Sequence, residues 1–152
     1  MKGYYKKQEE TAKAIDPEGW LHTGDLGLID PEKGYLKFTG RLKDMLRVGG
    51  ENVSAMEVES FLLTHPKVKQ AQVIGVPDAR LTEVGMAFVE LKEGMSSTEE
   101  EILNHCKGKI ANFKIPRYVA FLQEFPMTGS GKIQKFKLKE KAMEEMKRKS
   151  GK

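Results

Sequence analysis

The sequence predicts an α+β fold, in which a short and mainly antiparallel β-sheet is flanked by helices. Two apolar extended segments, 68–76 and 85–91, follow each other along the chain. A segment with apolar residues at helical spacing, 54–64, precedes them, and a third strand-like segment, 118–122, follows a second helical one. At 152 residues and 39% hydrophobic content, the chain could be one ordinary domain or one small domain plus an extension.

The first 40 residues predict a helix followed by a β-hairpin. Residues 8–15 are compatible with a helix, which ends at Asp16-Pro17 because a proline disfavours helical backbone in the preceding residue. Residues 26–29 and 35–39 are predicted as strands. The Asp-Pro-Glu-Lys-Gly segment 30–34 between them suits a hairpin turn.

The stretch 40–53 combines charge, a short strand and a glycine pair. Its charged residues Arg41, Lys43 and Asp44 come directly before the apolar segment 45–48. The pair Gly49-Gly50 then allows positive φ or close approach of the backbone to a ligand. This pattern is more typical of a hinge or a binding site than of a protein core.

Two capping boxes predict where the next helices begin. A Ser-x-x-Glu box at 54–57 predicts a helix through Thr64, with an inward stripe formed by Ala55, Val58, Phe61 and Leu62. A second box at 97–100 predicts a helix that ends at about residue 107.

The segments around these helices complete the prediction. Pro77-Asp78-Ala79 is predicted as the turn between the two long strands. A last helix, 137–149, has an apolar stripe of Leu138, Ala142 and Met146. We expect it to pack loosely and to expose its many charges to solvent.

Composition and charge argue against several classes of protein. The net charge is +4, but the lysines of the C-terminal segment alternate with glutamates and have few aromatic neighbours, so no nucleic-acid partner is predicted. No apolar run approaches the ~20 residues of a transmembrane helix. The single Cys106 excludes an internal disulfide and favours a cytoplasmic location, and neither Cys106 nor His105 has the spaced partners of a metal site.

Three motifs occur in a fixed order along the chain and together span most of it. They are Thr23-Gly24-Asp25, the stretch 40–53 followed by Glu57-Val58-Glu59, and the proline-, threonine- and glycine-containing segment 126–133. The chain thereby resembles the adenylate-forming (AMP-binding) superfamily, which includes acyl-CoA synthetases. The His-Thr-Gly-Asp-Leu-Gly segment 22–27 looks most like that of fatty-acid or medium-chain CoA ligases.

The resemblance assigns nucleotide binding to Asp25 and Arg41. In the family the aspartate binds both ribose hydroxyls of ATP, and a carboxylate has the two acceptor oxygens that such a diol requires. On the triplet alone, an aspartate that merely organises a turn would be the favoured interpretation. Arg41 matches an arginine that contacts ribose and phosphate, a role suited to the guanidinium fork, although a solvated charged turn is the plain alternative.

The last motif assigns catalysis to Lys132. In the family this lysine is needed for adenylation, where an anionic carboxylate meets an anionic α-phosphate and a lysine can neutralise the charge that accumulates. From composition alone, Lys132 could be an exposed lysine in a polar loop. The spacing is not that of a Walker phosphate loop, and Lys135 replaces an arginine of the family signature.

The resemblance also implies a reaction in two halves. The acid and Mg-ATP first give an acyl adenylate and pyrophosphate, and a thiol, here that of CoA, then displaces AMP. Lys43 matches the hinge about which the small domain rotates between the halves, although in isolation it would be interpreted as part of a solvated charged turn. Gly49, Gly50 and Glu51 match the loop that faces the active site in the second half and leaves room for pantetheine.

The implied domain division is residues 1–42 as the tail of the large AMP-binding domain, with a helix and a β-hairpin, and 43–150 as the mobile C-terminal domain. The family's phosphate loop, acyl pocket and magnesium-positioning acidic residue are absent from the sequence. We therefore expect this part of a fatty-acyl-CoA ligase to be inactive alone and to hold no ATP, Mg²⁺ or CoA tightly. The alternative is a stand-alone binding module that acts with a separate large subunit or a carrier protein.

Overall fold

A computed structural model of the chain describes residues 1–150 and confirms the predicted α+β fold. The chain forms two compact units, one of Met1–Lys43 and one that begins at Asp44. A single 3-10 turn, Leu42–Asp44, lies at the division. The two units are described separately below.

The first unit consists of a short helix and a β-hairpin. Helix α1 spans Gln8–Ala14, and strands β1 (Asp25–Ile29) and β2 (Leu36–Arg41) pair antiparallel with an irregularity between Leu26 and Gly27. Among residues 1–43, all of which the structure describes, only Gly40 is buried. A two-stranded hairpin without a core is marginally stable by itself.

The second unit contains a five-stranded sheet around one long central strand. Its strands are β3 (Met45–Val48), β4 (Glu51–Ser54), β5 (Val68–Asp78), β6 (Thr82–Leu91) and β7 (Tyr118–Leu122). Strand β6 pairs with β5 along one edge, and its other edge is shared by β3 at one end and β7 further along. All pairings are antiparallel except that of β6 with β7, which is parallel.

Two details of the sheet differ from the sequence-based prediction. Strand β4 was not predicted, and it forms because the chain turns back within two residues at Gly49-Gly50 and pairs with β3. The turn predicted at Pro77-Asp78-Ala79 is wrong for its first two residues, since β5 continues through Asp78 opposite Thr82.

Helices α2 (Ala55–Leu62) and α3 (Glu99–Cys106) each begin at a side-chain cap. The Ser54 hydroxyl accepts a hydrogen bond from the Glu57 backbone N–H at 3.3 Å, which confirms Ser54 as the predicted cap. The second cap was predicted one residue too early. Thr98, rather than Ser97, accepts the backbone N–H of Glu101 at 3.1 Å.

Helix α4 (Lys135–Ser150) packs more closely than the sequence suggested. Leu138 and Ala142 are fully buried in the same core as Val58, Leu62 and Met86, so the expectation of loose packing is wrong. Burying one such leucine stabilises a fold by about 1.5–3 kcal/mol, which secures the helix despite its exposed lysines. Within residues 1–150, no helix is long and apolar enough to cross a bilayer.

Candidate functional site

The hairpin of the first unit brings Asp25 and Arg41 together. The two residues face each other as partners in the β1–β2 ladder, and Arg41 Nε lies 3.3 Å from Asp25 Oδ1. Gly24 has a φ of +73°, and its carbonyl accepts the Leu42 N–H at 2.8 Å. This hydrogen bond joins the two strands at the open end of the hairpin, where the Asp25 carboxylate lies beside the Arg41 guanidinium.

An open depression of about 450 Å³ lies at this pair. Its lining residues all belong to the first unit: Thr23, Gly24, Asp25, Arg41, Leu42 and Lys43. Asp25 and Arg41 both remain substantially exposed there. A carboxylate that accepts from a diol, beside a cation that attracts phosphate, fits the ribose and α-phosphate of a nucleotide.

His22 lies close in sequence to this pair but has a structural partner. Its Nε2 is 2.9 Å from Asp16 Oδ2, and Asp16 Oδ1 accepts the Trp20 backbone N–H at 2.7 Å. The Trp20 N–H, helped by His22, holds the pKa of Asp16 below its usual range. The arrangement fixes the connection before the nucleotide motif and gives His22 no evident chemical role.

The glycine pair forms the turn of the β3–β4 hairpin. Gly49 and Gly50 have φ values of +58° and +93°, and Val48 pairs with Glu51 directly across the turn. Two consecutive positive φ values are the requirement of a tight two-residue hairpin turn, and glycine meets it without steric strain. The glycine turn is exposed, as is Glu51 beside it.

Lys132 lies in a second tight turn, on the segment before α4. The Thr128 N–H donates to the Lys132 carbonyl at 2.8 Å, and the Lys132 N–H donates to Thr128 Oγ1 at 3.1 Å. Gly131 closes the turn with a φ of +76°, and Met127 bridges to Ile133 below it. The Lys132 side chain is exposed and makes no ion pair with the described residues. It is therefore available for an anionic ligand.

Lys135 was not predicted as part of this region, although it replaces the arginine of the family signature. Its Nζ lies 3.3 Å from Asp44 Oδ2 and 3.5 Å from Glu59 Oε1. Lys135 thus joins the start of α4, directly after the Lys132 turn, to the first residue of the second unit. The substitution at a signature position was the signal that could have revealed it.

The division between the two units falls directly after Lys43, which is exposed. Its hinge role stays a prediction. No group of three or more His, Cys, Asp or Glu side chains in the described part of the chain could hold a metal ion. Asp25 and Arg41 suit the ribose and α-phosphate of ATP, and no cluster among the described residues offers Mg²⁺ a site made of protein ligands alone.

A model of the AMP-binding enzyme C-terminal domain matches residues 57–132. The Bacillus subtilis (strain 168) protein named "Putative acyl-CoA synthetase YngI" is 56% identical over 144 residues, which are 95% of this chain and 26% of that protein. "Medium-chain acyl-CoA ligase ACSF2, mitochondrial" of Mus musculus is 48% identical over 147 residues, which are 97% and 24% of the two chains.

Among solved structures, ATP-bound MatB from Rhodopseudomonas palustris matches with a TM-score of 0.85 and 38% identity. The match covers 92% of this chain and 28% of that one. The chain thus spans about a quarter of the length of the curated relatives it matches.

Proposed function

Because this chain belongs to the family of AMP-binding enzyme C-terminal domains, we propose that it acts as the C-terminal part of a fatty-acyl-CoA ligase. The complete enzyme would use ATP and Mg²⁺ to convert a medium- or long-chain carboxylic acid into an acyl adenylate, and then form the thioester with CoA. The names of its relatives, which include acyl-CoA synthetases and medium-chain acyl-CoA ligases, support this substrate class.

The observation that carries the proposal is the position of Lys132. It projects from a turn held by both the backbone and the hydroxyl of Thr128, and no described carboxylate neutralises it. In adenylation a carboxylate oxygen attacks the α-phosphorus and the bond to pyrophosphate breaks, so negative charge accumulates on the phosphoryl oxygens. Lys132 would stabilise that charge, while Asp25 and Arg41 hold the ribose and phosphate.

The glycine turn would serve the second half. There the thiol sulfur of CoA loses its proton and attacks the acyl carbonyl carbon, and the carbon–oxygen bond to AMP breaks. A turn without side chains at Gly49 and Gly50 lets the narrow pantetheine arm pass close to the backbone. Rotation about Lys43 would exchange the Lys132 turn for the glycine turn at the active site.

We expect the chain alone to be inactive. The first unit has no core of its own, and the sequence does not contain the family's phosphate loop. ATP, Mg²⁺ and CoA would therefore bind only when a large N-terminal domain supplies the phosphate loop and the acyl pocket. The predicted cytoplasmic location is likewise a proposal.

The test is ATP–pyrophosphate exchange with acids of short, medium and long chain. The assay compares the chain alone with a chimera in which it replaces the matching quarter of the Bacillus subtilis relative. We expect no exchange by the chain alone and clear exchange by the chimera. In the chimera, Lys132→Ala should reduce the rate about 100- to 1,000-fold, the usual loss for a group that stabilises transition-state charge.

Lys109→Ala is the matched control, since Lys109 is an exposed lysine outside the three motifs. Equal rates for the Lys132→Ala and Lys109→Ala chimeras would contradict the catalytic role. Exchange by the chain alone would show that the active site lies within these residues. An inactive chimera, together with tight binding of CoA or a carrier protein by the chain, would instead support the stand-alone binding module.

A further inference from the structure

The second edge of β6 has a gap between its two neighbours. Strand β3 pairs with β6 only through Val48 and Thr82, and β7 begins its pairing at Met86. Backbone groups at an edge strand need partners when no strand covers them. Beside this gap, two backbone N–H groups of the β3–β4 hairpin, those of Arg47 and Gly49, donate to acceptors that are not part of a regular ladder.

The side chain of Glu83 supplies one of them. Its Oε2 accepts the backbone N–H of Arg47, in the middle of β3, at 2.8 Å. The Glu83 carboxylate also lies against Gly75 of β5, where a Cβ atom would overlap it. A carboxylate that accepts a backbone N–H makes a stronger hydrogen bond than a neutral carbonyl does. Glu83 therefore attaches the β3–β4 hairpin to β6 beside their single ladder pair.

The connection between β5 and β6 supplies a second attachment. The Leu81 carbonyl accepts the Gly49 N–H at 2.9 Å, at the first residue of the glycine turn. Asp78 holds this connection in shape, because its Oδ1 accepts the N–H groups of Arg80 and Leu81, each at 2.9 Å. Its Oδ2 accepts from Arg117 Nη1 at 2.8 Å.

The protonation state of Asp78 agrees with this role. The backbone N–H groups of Leu81 and Arg80, with Arg117 beside them, hold the pKa of Asp78 below its usual range. The carboxylate is therefore ionised at neutral pH and accepts all three hydrogen bonds. Thr82, the next residue after the connection, has a φ of +67°, which is strained for a β-branched residue. Such strain persists only where the surrounding contacts impose it.

We propose that Glu83 and Asp78 are positioning residues that hold the glycine turn where it can receive the pantetheine arm of CoA. This inference rests on the proposed function of the chain as part of an acyl-CoA ligase. The Gly49 N–H is held by the Leu81 carbonyl, whereas a Cβ atom at Gly50 would meet no atom within 4 Å. The turn is thus anchored at one residue and open at the next, as a loop that takes up a ligand along its backbone requires.

The functional test separates the two halves of the reaction in the chimera with the Bacillus subtilis relative. Glu83→Ala should lower the transfer of the acyl group from preformed acyl adenylate to CoA about 10- to 100-fold, because the turn is misplaced. ATP–pyrophosphate exchange should stay within about two-fold of the unsubstituted chimera, since that half uses Lys132. Glu83→Gln keeps an acceptor for the Arg47 N–H and should restore most of the transfer rate.

Glu93→Ala is the matched control, because Glu93 is an exposed carboxylate elsewhere on the second unit. The positioning role is overturned if Glu83→Ala slows both halves equally, or if Glu93→Ala slows acyl transfer as much as Glu83→Ala does. A folded Glu83→Ala chimera with an unchanged transfer rate would overturn it as well.

A second measurement is independent of catalysis and uses the 152-residue chain. Amide hydrogen exchange of Gly49, followed by NMR, should become at least ~10-fold faster in Glu83→Ala and in Asp78→Ala, and stay unchanged in Glu93→Ala. Unchanged Gly49 exchange in both variants would overturn the attachment itself. If the unsubstituted chimera catalyses neither half, the proposed function fails, while Gly49 exchange still decides whether these carboxylates hold the turn.

Discussion

Glu59 offers a test of how a buried carboxylate joins three elements of the second unit. Only 9% of this residue is exposed, and its Oε1 accepts the backbone N–H of Val73 at 3.0 Å. Strand β5 has β6 on one side only, so this N–H depends on α2 for its acceptor. The same oxygen lies 3.5 Å from Lys135 Nζ at the start of α4.

Replacing Glu59 by alanine removes both interactions. A buried N–H left without an acceptor costs about 1–3 kcal/mol. The loss of one partner of the half-exposed Lys135 adds at most about 1 kcal/mol, because Asp44 remains beside it at 3.3 Å. We therefore expect Glu59→Ala to lower the free energy of unfolding by about 1–4 kcal/mol. Glu59→Gln keeps an acceptor for Val73 and should cost about 1 kcal/mol.

The assay is urea unfolding of the 152-residue chain, followed by circular dichroism at 222 nm, because Trp20 lies in the first unit and would not report on the second. With a slope of about 2 kcal/mol per M, Glu59→Ala should shift the midpoint by about 0.5–2 M. Glu57→Ala is the control, since Glu57 is exposed and pairs with Lys114 at the surface, so its loss should cost less than about 1 kcal/mol. Equal losses for the two alanine variants would refute the reasoning.

Three further predictions concern the second unit. Thr82→Gly should stabilise the chain by up to about 1 kcal/mol in urea unfolding. The strain energy released at the positive φ exceeds the cost of the extra conformational entropy that glycine gives the unfolded state. Leu138→Ala should cost about 2–5 kcal/mol in the same assay, whereas Met143→Ala on the exposed face of α4 should cost less than about 1 kcal/mol. Burial, with Lys109 nearby, lowers the pKa of His105, so the unfolded state binds this proton more readily and stability should fall as pH drops below about 6.5. His105→Gln should reduce the change in the free energy of unfolding between pH 7 and pH 5. An unchanged pH dependence would contradict this assignment.

Much of the local structure was predictable because short-range signals specify it. Ser54 caps α2 as its spacing with Glu57 indicates, and β7 has the predicted bounds Tyr118–Leu122. The parallel pairing of β7 was not predictable, since alternation of apolar residues does not reveal strand direction. The choice of Thr98 over Ser97 as a cap was also not predictable, because each hydroxyl precedes a glutamate by three residues.

At the candidate site and in the core, too, some residues were predictable from the sequence and others were not. The motifs named Asp25, Arg41 and Lys132, and the hairpin places the first two within 3.3 Å because they pair across it. Nothing in the sequence distinguished Glu59, which is buried, from Glu57, which is exposed, except that residue 59 lies on the same helical face as Ala55 and Leu62.

By itself, the sequence determined the α+β class, most of the helices and strands, and the family. These properties depend on residues a few positions apart, or on motifs that can be recognised in order. Only the tertiary structure decided how the turns are held. Glu83 reaches the Arg47 N–H across 36 positions and Lys135 reaches Asp44 across 91. Such contacts depend on which strands become neighbours, and the packing of the whole core decides that.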